Sequence, residues 1–137
     1  MTSVKSNPIF ARYPRRTILR AERAVRCSPF SPALFFTMSR EGVALGAIAG
    51  ESGCRLGYTR RPVAELVAES ELLWLIQVGM LRREVDGQGL TDSFRLTPLG
   101  RLLLDQWHSA TTMPPPSWVD RILNTLSRWI RWSEWLQ

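Results

Sequence analysis

The stretch TRRPVAELVAESELLWLIQVGMLRREVDGQGLTDSFRLTPLGRLLLDQWH (59–108) decides the fold of this chain. Its first part, 59–81, has the pattern of a helix. Thr59 is a capping residue, and Pro62 suits a first helical turn because the N–H that it lacks has no partner there. Gly79 can end the helix. Apolar residues recur between these ends at helical spacing, at Val63, Leu66, Val67, Leu73, Trp74 and Val78.

The second part, 81–97, has the pattern of a β-ribbon. Its turn is Asp86-Gly87-Gln88-Gly89, and polar and apolar residues alternate on either side. The third part is a helix with Thr97 as its cap and Pro98 at the first position. Its apolar stripe is Leu99, Leu102, Leu103 and Trp107. The whole stretch predicts a protein that is mostly α with a small β-ribbon.

Size and composition indicate one globular domain with tails. The chain has 137 residues, of which 45% are hydrophobic and 22% charged. No apolar run reaches the ~18 residues of a membrane span, and the first residues lack the apolar segment of a secretory signal. Cys27 and Cys54 are therefore expected to be reduced thiols. These features predict a cytoplasmic protein.

The positive charge is concentrated at the N-terminus. Formal net charge is +6, and residues 1–30 carry seven basic residues against one acid. Residues 31–137 carry eleven of each sign and are neutral as a set. A basic N-terminal arm of this kind favours an anionic partner.

The pattern divides the chain into four segments. Residues 1–30 are a basic arm and helix, with Pro14 opening the helix. Residues 31–108 form the main domain, in which 33–40 and 43–51 are predicted helices and 52–54 a tight turn. Residues 109–117 are a proline-rich linker, expected to be extended and semi-rigid. Residues 118–137 are an amphipathic helix rich in Trp and Arg.

Short patterns that follow one another in order resemble a winged helix-turn-helix domain of the MarR, PadR and ArsR kind. Val43, Leu45, Ile48, Ala49 and Gly53 match the first helix and turn, with Ala49 where the helices cross and Gly53 in the turn. The remaining patterns are 79–83 and 94–100, which match the wing. The segment from 58 to 79 is longer than a usual recognition helix, so a break near 69–70 is an alternative. The resemblance implies a DNA-binding transcription regulator, expected to be a homodimer.

A second resemblance covers most of the chain. The stretches RAERAVRCSPFSPALF (20–35) and LLWLIQVGMLRREVDGQGLTDSFRLTPLGR (72–101) are similar to a family of small cyanobacterial proteins. This resemblance implies no particular activity.

The candidate DNA contacts are arginines and polar residues near the start of the predicted recognition helix, on the arm and on the ribbon. Arg60 and Arg61 are the principal candidates, since arginine binds phosphate and can reach guanine in the major groove. The full set is Arg55, Tyr58, Thr59, Arg60, Arg61, Arg15, Arg16, Arg20, Arg82 and Arg95. Two features count against this hypothesis. The predicted recognition helix also carries the acids Glu65, Glu69 and Glu71, and the tip of the ribbon has no basic residue. These arginines can equally be a solvated surface.

The C-terminal helix is a candidate contact surface for a partner or a membrane. Its apolar residues occupy about half of the circumference, opposite a polar half with Asn124 and Arg128. It can pack back on the domain, pair with a second subunit or lie in a membrane interface. The candidate contact residues are Trp118, Ile122, Leu126, Trp129 and Trp132.

The sequence predicts neither catalysis nor a metal or cofactor site. His108 is the one histidine, and two distant cysteines cannot complete a zinc site with it. Phosphate-binding glycine motifs are absent, and no nucleophile, base and orienting group converge. Two hypotheses remain. The first is a homodimeric winged-helix DNA-binding regulator. The second is a non-enzymatic adaptor that uses the winged helix for protein contacts and the Trp-rich tail for docking on a complex or membrane surface.

Overall fold

The protein is mostly helical with one small antiparallel sheet, as predicted. The computed structural model describes residues 13–109 and 121–129. Residues 121–129 are helical and are called α7 here. The other elements of the described part are α1 Arg15–Arg26, α2 Pro32–Met38, β1 Val43–Ala44, α3 Leu45–Ile48, α4 Gly50–Arg55, α5 Glu65–Gln77, β2 Leu81–Asp86, β3 Gly89–Leu96 and α6 Pro98–Ser109.

Helix α6 begins where the sequence predicts it and buries the predicted stripe. The Gly100 amide donates to Thr97 Oγ1 at 3.0 Å, so the threonine satisfies one of the amides that a helix start leaves unpaired. The side chains of Leu99, Leu102, Leu103 and Trp107 are all buried. The cap and the stripe therefore fix α6 against the rest of the domain.

The ribbon is confirmed, and a third strand joins it. The strand order is β1-β3-β2, with both neighbouring pairs antiparallel. The tip is fixed by Gln88, whose amide donates to Asp86 Oδ1 at 2.7 Å. Strand β1 lies in the segment 43–51 that was predicted to be one helix, and the rest of that segment is divided between α3 and α4 by Ala49, whose backbone is extended. The prediction of a single helix was therefore wrong. A two-residue strand shows no alternation in sequence, and it forms because Val43 pairs with Phe94.

The predicted helix over 59–81 was too long at its N-terminal end. Helix α5 begins at Glu65 and runs without a break to Gln77, so Pro62 precedes it. The preceding segment is held in a non-helical conformation by other parts of the chain. The Ser31 amide donates to the Tyr58 carbonyl at 2.8 Å, the Gly50 amide donates to the Val63 carbonyl at 2.8 Å, and Thr59 bridges to Phe30. Tertiary hydrogen bonds thus override the local capping signal.

Gly53 is a helix residue and not the predicted turn. It is buried in α4, and a Cβ at this position would overlap the Ile48 carbonyl oxygen at the end of α3. The turn that follows is at Gly57, whose φ of 80° favours glycine. Glycine is needed at position 53 because the backbone of α4 lies too close to the Ile48 carbonyl to leave room for a side chain.

The helices and the sheet share one hydrophobic core. Helix α1 contributes Ala21, Ala24 and Val25 to the same buried cluster that contains α5 and α6. The basic helix is therefore packed on the domain through its apolar side. The largest fully buried side chains of the core are Phe35, Phe94, Leu34, Met38, Ile48, Leu72, Leu75, Met80, Leu81 and Leu103.

Candidate functional site: the C-terminal helix and an arginine-lined cleft

Helix α7 is attached to α5 by a buried hydrogen bond. Trp74 Nε1 donates to Asn124 Oδ1 at 2.9 Å. The two residues are 6% and 8% exposed, so the bond is shielded from water. A shielded indole N–H needs an acceptor, and Asn124 supplies it.

Arg128 makes the second attachment of α7 to α5. Its Nη1 donates to Glu71 Oε2 at 3.1 Å, and its Nη2 donates to Ser70 Oγ at 3.3 Å. Its guanidinium also lies 5.6 Å from the centre of the Trp74 ring, within cation–π distance. All of these contacts come from the half of α7 that the sequence predicts to be polar.

The predicted apolar stripe of α7 consequently faces outward. Ile122, Leu126 and Trp129 are 48%, 50% and 69% exposed. At about 100° per residue they lie on the side of the helix opposite Asn124. Two further members of the predicted stripe, Trp118 and Trp132, lie outside the described residues, as do 110–117 of the linker.

Three residues of the apolar stripe that the sequence predicts for helix α5, Leu66, Val67 and Leu73, are exposed, whereas Trp74 and Val78 are buried. Leu66 and Leu73 are 80% and 42% exposed, and with the exposed Ser70 and Gln77 they follow helical spacing. The core side of α5 is instead formed by Ala68, Leu72 and Leu75. The helix is apolar on nearly every side, so spacing alone does not identify its buried face.

The predicted DNA contacts near α5 lie in different environments. Arg60 and Arg61 are exposed in the loop before the helix, and no described residue forms an ion pair or hydrogen bond with their side chains. Arg55 is exposed at the last residue of α4. Tyr58 is half-buried against the core, and Thr59 is buried at 4% exposure. The Thr59 side chain is thus not on the surface where the sequence placed it, because its segment is bridged to Phe30.

The other predicted contacts are spread over α1 and the sheet. Arg15 and Arg16 are exposed on α1, whereas Arg20 is half-buried and engaged with neighbouring groups. Arg82 is exposed on β2. Arg95 is used inside the domain: Nη1 donates to Glu84 Oε2 at 3.3 Å and Nη2 to the Arg40 carbonyl at 2.8 Å. Arg95 therefore braces β3 and does not project from it as predicted.

A cleft of about 810 Å³ lies between the end of α1, the loop before α5, and α7. Sequence reasoning missed this grouping because its members are far apart along the chain. Four arginines line it, and the apolar residues beside them come from the α1–α2 connection, the start of α2, the loop before α5 and α5 itself. The described lining residues are Arg26, Cys27, Ser28, Pro29, Phe30, Ser31, Pro32, Arg60, Arg61, Val63, Val67, Glu71 and Arg121.

Neither a metal-holding cluster nor a membrane-crossing helix is found among the described residues. Within 13–109 and 121–129, no group of three or more His, Cys, Asp or Glu side chains is arranged to hold a metal ion. None of the helices in the same residues has the length and apolar character needed to cross a membrane.

Comparison with known proteins places this helix-rich chain in a family. A family model described as Npun_F0494-like matches residues 11–128. The chain belongs to the Npun_F0494-like family, and the match includes both stretches that carried the resemblance to a family of small cyanobacterial proteins. Neither the curated proteins nor the solved structures gave a match.

Proposed function

We propose that this protein is a non-enzymatic adaptor that docks on a partner protein through the outward face of α7. The observation that carries the proposal is the inverted attachment of α7. Its polar side is bound to α5 through Asn124 and Arg128, while Ile122, Leu126 and Trp129 face outward. An amphipathic helix that packs only on its own domain is expected to bury the opposite side.

The exposed side chains are of the kind that dominates protein interfaces. Trp is enriched among the residues that contribute most to binding, and full burial of a large apolar side chain is worth about 1.5–3 kcal/mol. Helix α5 adds Leu66 and Leu73 as exposed apolar residues on a neighbouring helix. Several such residues on adjacent helices favour a docking surface over scattered exposure.

The use of the polar side of α7 favours a protein partner over an anionic lipid surface. Arg128 lies on that side and is bonded to Glu71 and Ser70 of α5. An interfacial helix turns the Lys and Arg of its polar face toward anionic headgroups, whereas Arg128 is committed to the domain. An apolar groove of a partner protein fits the outward face of α7 better.

The order of the elements supports a winged-helix scaffold beneath α7. In a winged helix-turn-helix, a helix and a short strand are followed by two helices and a hairpin whose last strand pairs with the first. In this chain α2 and β1 are followed by α3–α4 and α5, and the order β1-β3-β2 fits that arrangement. Helix α5 then corresponds to the recognition helix of the MarR, PadR and ArsR kind.

The adaptor proposal is tested by comparing two polar variants in affinity purification from the native cells. The first is I122Q/L126Q/W129Q, which removes the apolar surface of α7. The matched control is V85T/L90T, which removes two side chains of the hairpin that are likewise exposed, at 68% and 74%. We expect the partner recovered with the unmodified protein to be retained by the control and lost from the α7 variant.

Two further measurements define what would overturn the adaptor proposal. Equal recovery of the partner by both variants would show that α7 is not the docking surface. Sedimentation of the protein with vesicles of phosphatidylcholine and phosphatidylserine, abolished by the α7 changes, would identify a membrane surface instead. Truncation after Pro116 tests the same point, since unchanged partner recovery would contradict a docking role for the tail.

The second candidate function is DNA binding by a homodimeric transcription regulator. It is favoured by Arg60 and Arg61, which are exposed next to α5 and form no ion pair with any described residue. Against it, the outward stripe of α5 is Leu66, Ser70, Leu73 and Gln77, without a positive charge to face phosphates. The arginines of α1 would add non-specific affinity in this arrangement.

DNA binding is tested by mobility shift of genomic fragments at low and moderate salt. If the protein is a regulator, affinity falls steeply as salt increases, because phosphate contacts release counterions. R60Q/R61Q should remove sequence preference, whereas R15Q/R16Q should lower affinity uniformly. Failure to shift any fragment at low salt would exclude this candidate, and analytical ultracentrifugation measures whether the protein is a dimer.

A further inference from the structure

The arginine-lined cleft brings positive charge together from three separate parts of the chain. Arg26 comes from the last residue of α1, Arg60 and Arg61 from the loop before α5, and Arg121 from α7. Its volume of about 810 Å³ lies within the range of small-molecule sites, which is about 300–1,000 Å³. We propose that this cleft binds a small organic phosphate that carries an apolar group.

The electrostatics of the cleft favour an anion. Among its described lining residues, Glu71 is the sole acid, and Arg128 donates to its carboxylate at 3.1 Å. The Glu71 charge is thereby offset, and Arg60, Arg61 and Arg121 retain a net positive field over the cleft. Such a field raises the local concentration of an anionic ligand.

The arginine geometry favours phosphate among anions. Arg60, Arg61 and Arg121 are exposed, so their planar guanidiniums can turn toward a ligand. Each guanidinium can donate two parallel hydrogen bonds, and a phosphomonoester offers three terminal oxygens and a charge of about −1.5 to −2. A carboxylate has two oxygens and one charge, and it satisfies fewer of these donors.

The apolar part of the lining defines the rest of the ligand. Pro29, Pro32, Val63 and Val67 supply accessible apolar surface along the cleft, whereas Phe30 at 3% exposure contributes little. Rings and branched side chains beside cationic groups fit a flat apolar group attached to the phosphate. This inference goes beyond the adaptor proposal and is independent of it, since none of the outward residues Ile122, Leu126 and Trp129 lines the cleft.

Isothermal titration of the full-length protein with 1-naphthyl phosphate at low salt tests the site. We expect one ligand per chain. Inorganic phosphate and 1-naphthol should both bind more weakly, because the first lacks the apolar ring and the second lacks the phosphate. R121Q should weaken the binding of 1-naphthyl phosphate about tenfold, as expected for loss of a charged hydrogen bond. The matched control R101Q changes an exposed arginine of α6 outside the cleft and should leave affinity unchanged.

Three results would overturn the phosphate-site proposal. They are absence of binding, equal weakening by R121Q and R101Q, and displacement of 1-naphthyl phosphate by a short DNA duplex at equal concentration. The last result would assign the phosphate recognition to nucleic acid. The Trp74 indole N–H signal in the NMR spectrum of R121Q checks that α7 remains attached, so that loss of affinity reports on Arg121. Failure of partner docking by the α7 variant bears on the adaptor alone.

Discussion

Helices α6 and α7 are both amphipathic in sequence, yet they attach to the domain in opposite ways. Helix α6 buries its apolar stripe, with Leu103 fully enclosed and Leu102 and Trp107 nearly so. Helix α7 is bound to α5 through Asn124 and Arg128, and it leaves Leu126 and Trp129 outward. An amphipathic pattern therefore shows that a helix has two different faces, but not which face the rest of the chain will cover.

The two attachments differ in the kind of energy that holds them. Burial of the α6 leucines gains the hydrophobic and packing energy of a protein core, which is lost in full when the helix separates. The hydrogen bonds that attach α7 are polar contacts, whose net contribution is small because water offers similar ones. We expect α6 to unfold only with the whole domain and α7 to detach first.

The largest contrast should come from truncating one leucine on each helix. L103A removes a fully buried side chain and should lower the free energy of unfolding by about 2–5 kcal/mol. L126A removes a half-exposed side chain and should change it by about 0.5 kcal/mol or less. Urea denaturation followed by circular dichroism measures both. Comparable losses for the two variants would mean that α7 buries its apolar side after all.

The next largest effect should come from the buried hydrogen bond of α7. N124A leaves Trp74 Nε1 without its acceptor, at a cost of about 1–3 kcal/mol to the attachment. We expect faster amide hydrogen exchange in residues 121–129, while exchange in α6 is unchanged. T125A, at the neighbouring exposed position, is the control and should leave exchange near the native rate. Unaltered exchange in N124A would show that other contacts suffice to hold α7.

A smaller effect on the α6 side should come from its cap. T97A removes the hydroxyl that accepts from the Gly100 amide, and it should lower the free energy of unfolding by about 0.5–2 kcal/mol. T97S keeps a hydroxyl at the same place and should recover most of the loss. Thermal unfolding of the three proteins measures the series. A serine variant as unstable as the alanine variant would argue against capping.

The smallest effect should come from the ion pair of α7. R128Q removes the bond to Glu71, and because the Arg128 side chain is 29% exposed the pair should contribute about 0.2–1 kcal/mol. Added salt should lessen the difference between R128Q and the unmodified protein, since screening weakens the pair in the latter. Amide hydrogen exchange of residues 121–129, measured at two salt concentrations for both proteins, detects this salt dependence. A difference that does not depend on salt would assign the role of Arg128 to its stacking on Trp74 and its hydrogen bond to Ser70.

The parts of the fold that sequence predicts are those fixed by local chemistry. The Thr97 cap, the turn at 86–89 and the α6 stripe are confirmed because each depends on neighbours within a few residues. The parts that failed depend on distant partners. Strand β1 exists because Phe94 pairs with Val43, and α5 starts late because its preceding segment is bonded to Ser31 and Gly50.

The candidate site was predictable in its residues but not in its arrangement. Charge and position indicated Arg60 and Arg61 as surface residues, and both are exposed. Their grouping with Arg26 and Arg121 in one cleft could not be read from positions up to 95 residues apart. The pairing of Trp74 with Asn124 is equally non-local, and it places the polar face of α7 against α5.

The close approach at Gly53 gives a way to align distant relatives of this chain. Any side chain there would occupy the space of the Ile48 carbonyl, so a homologue with another residue must have separated α3 from α4. Loops and exposed faces can diverge with each lineage's binding partner, whereas this position is constrained by backbone alone. A glycine at the matching place, some twelve residues before the helix that carries Trp74, is thus a reference point for tracing ancestry when little other identity survives.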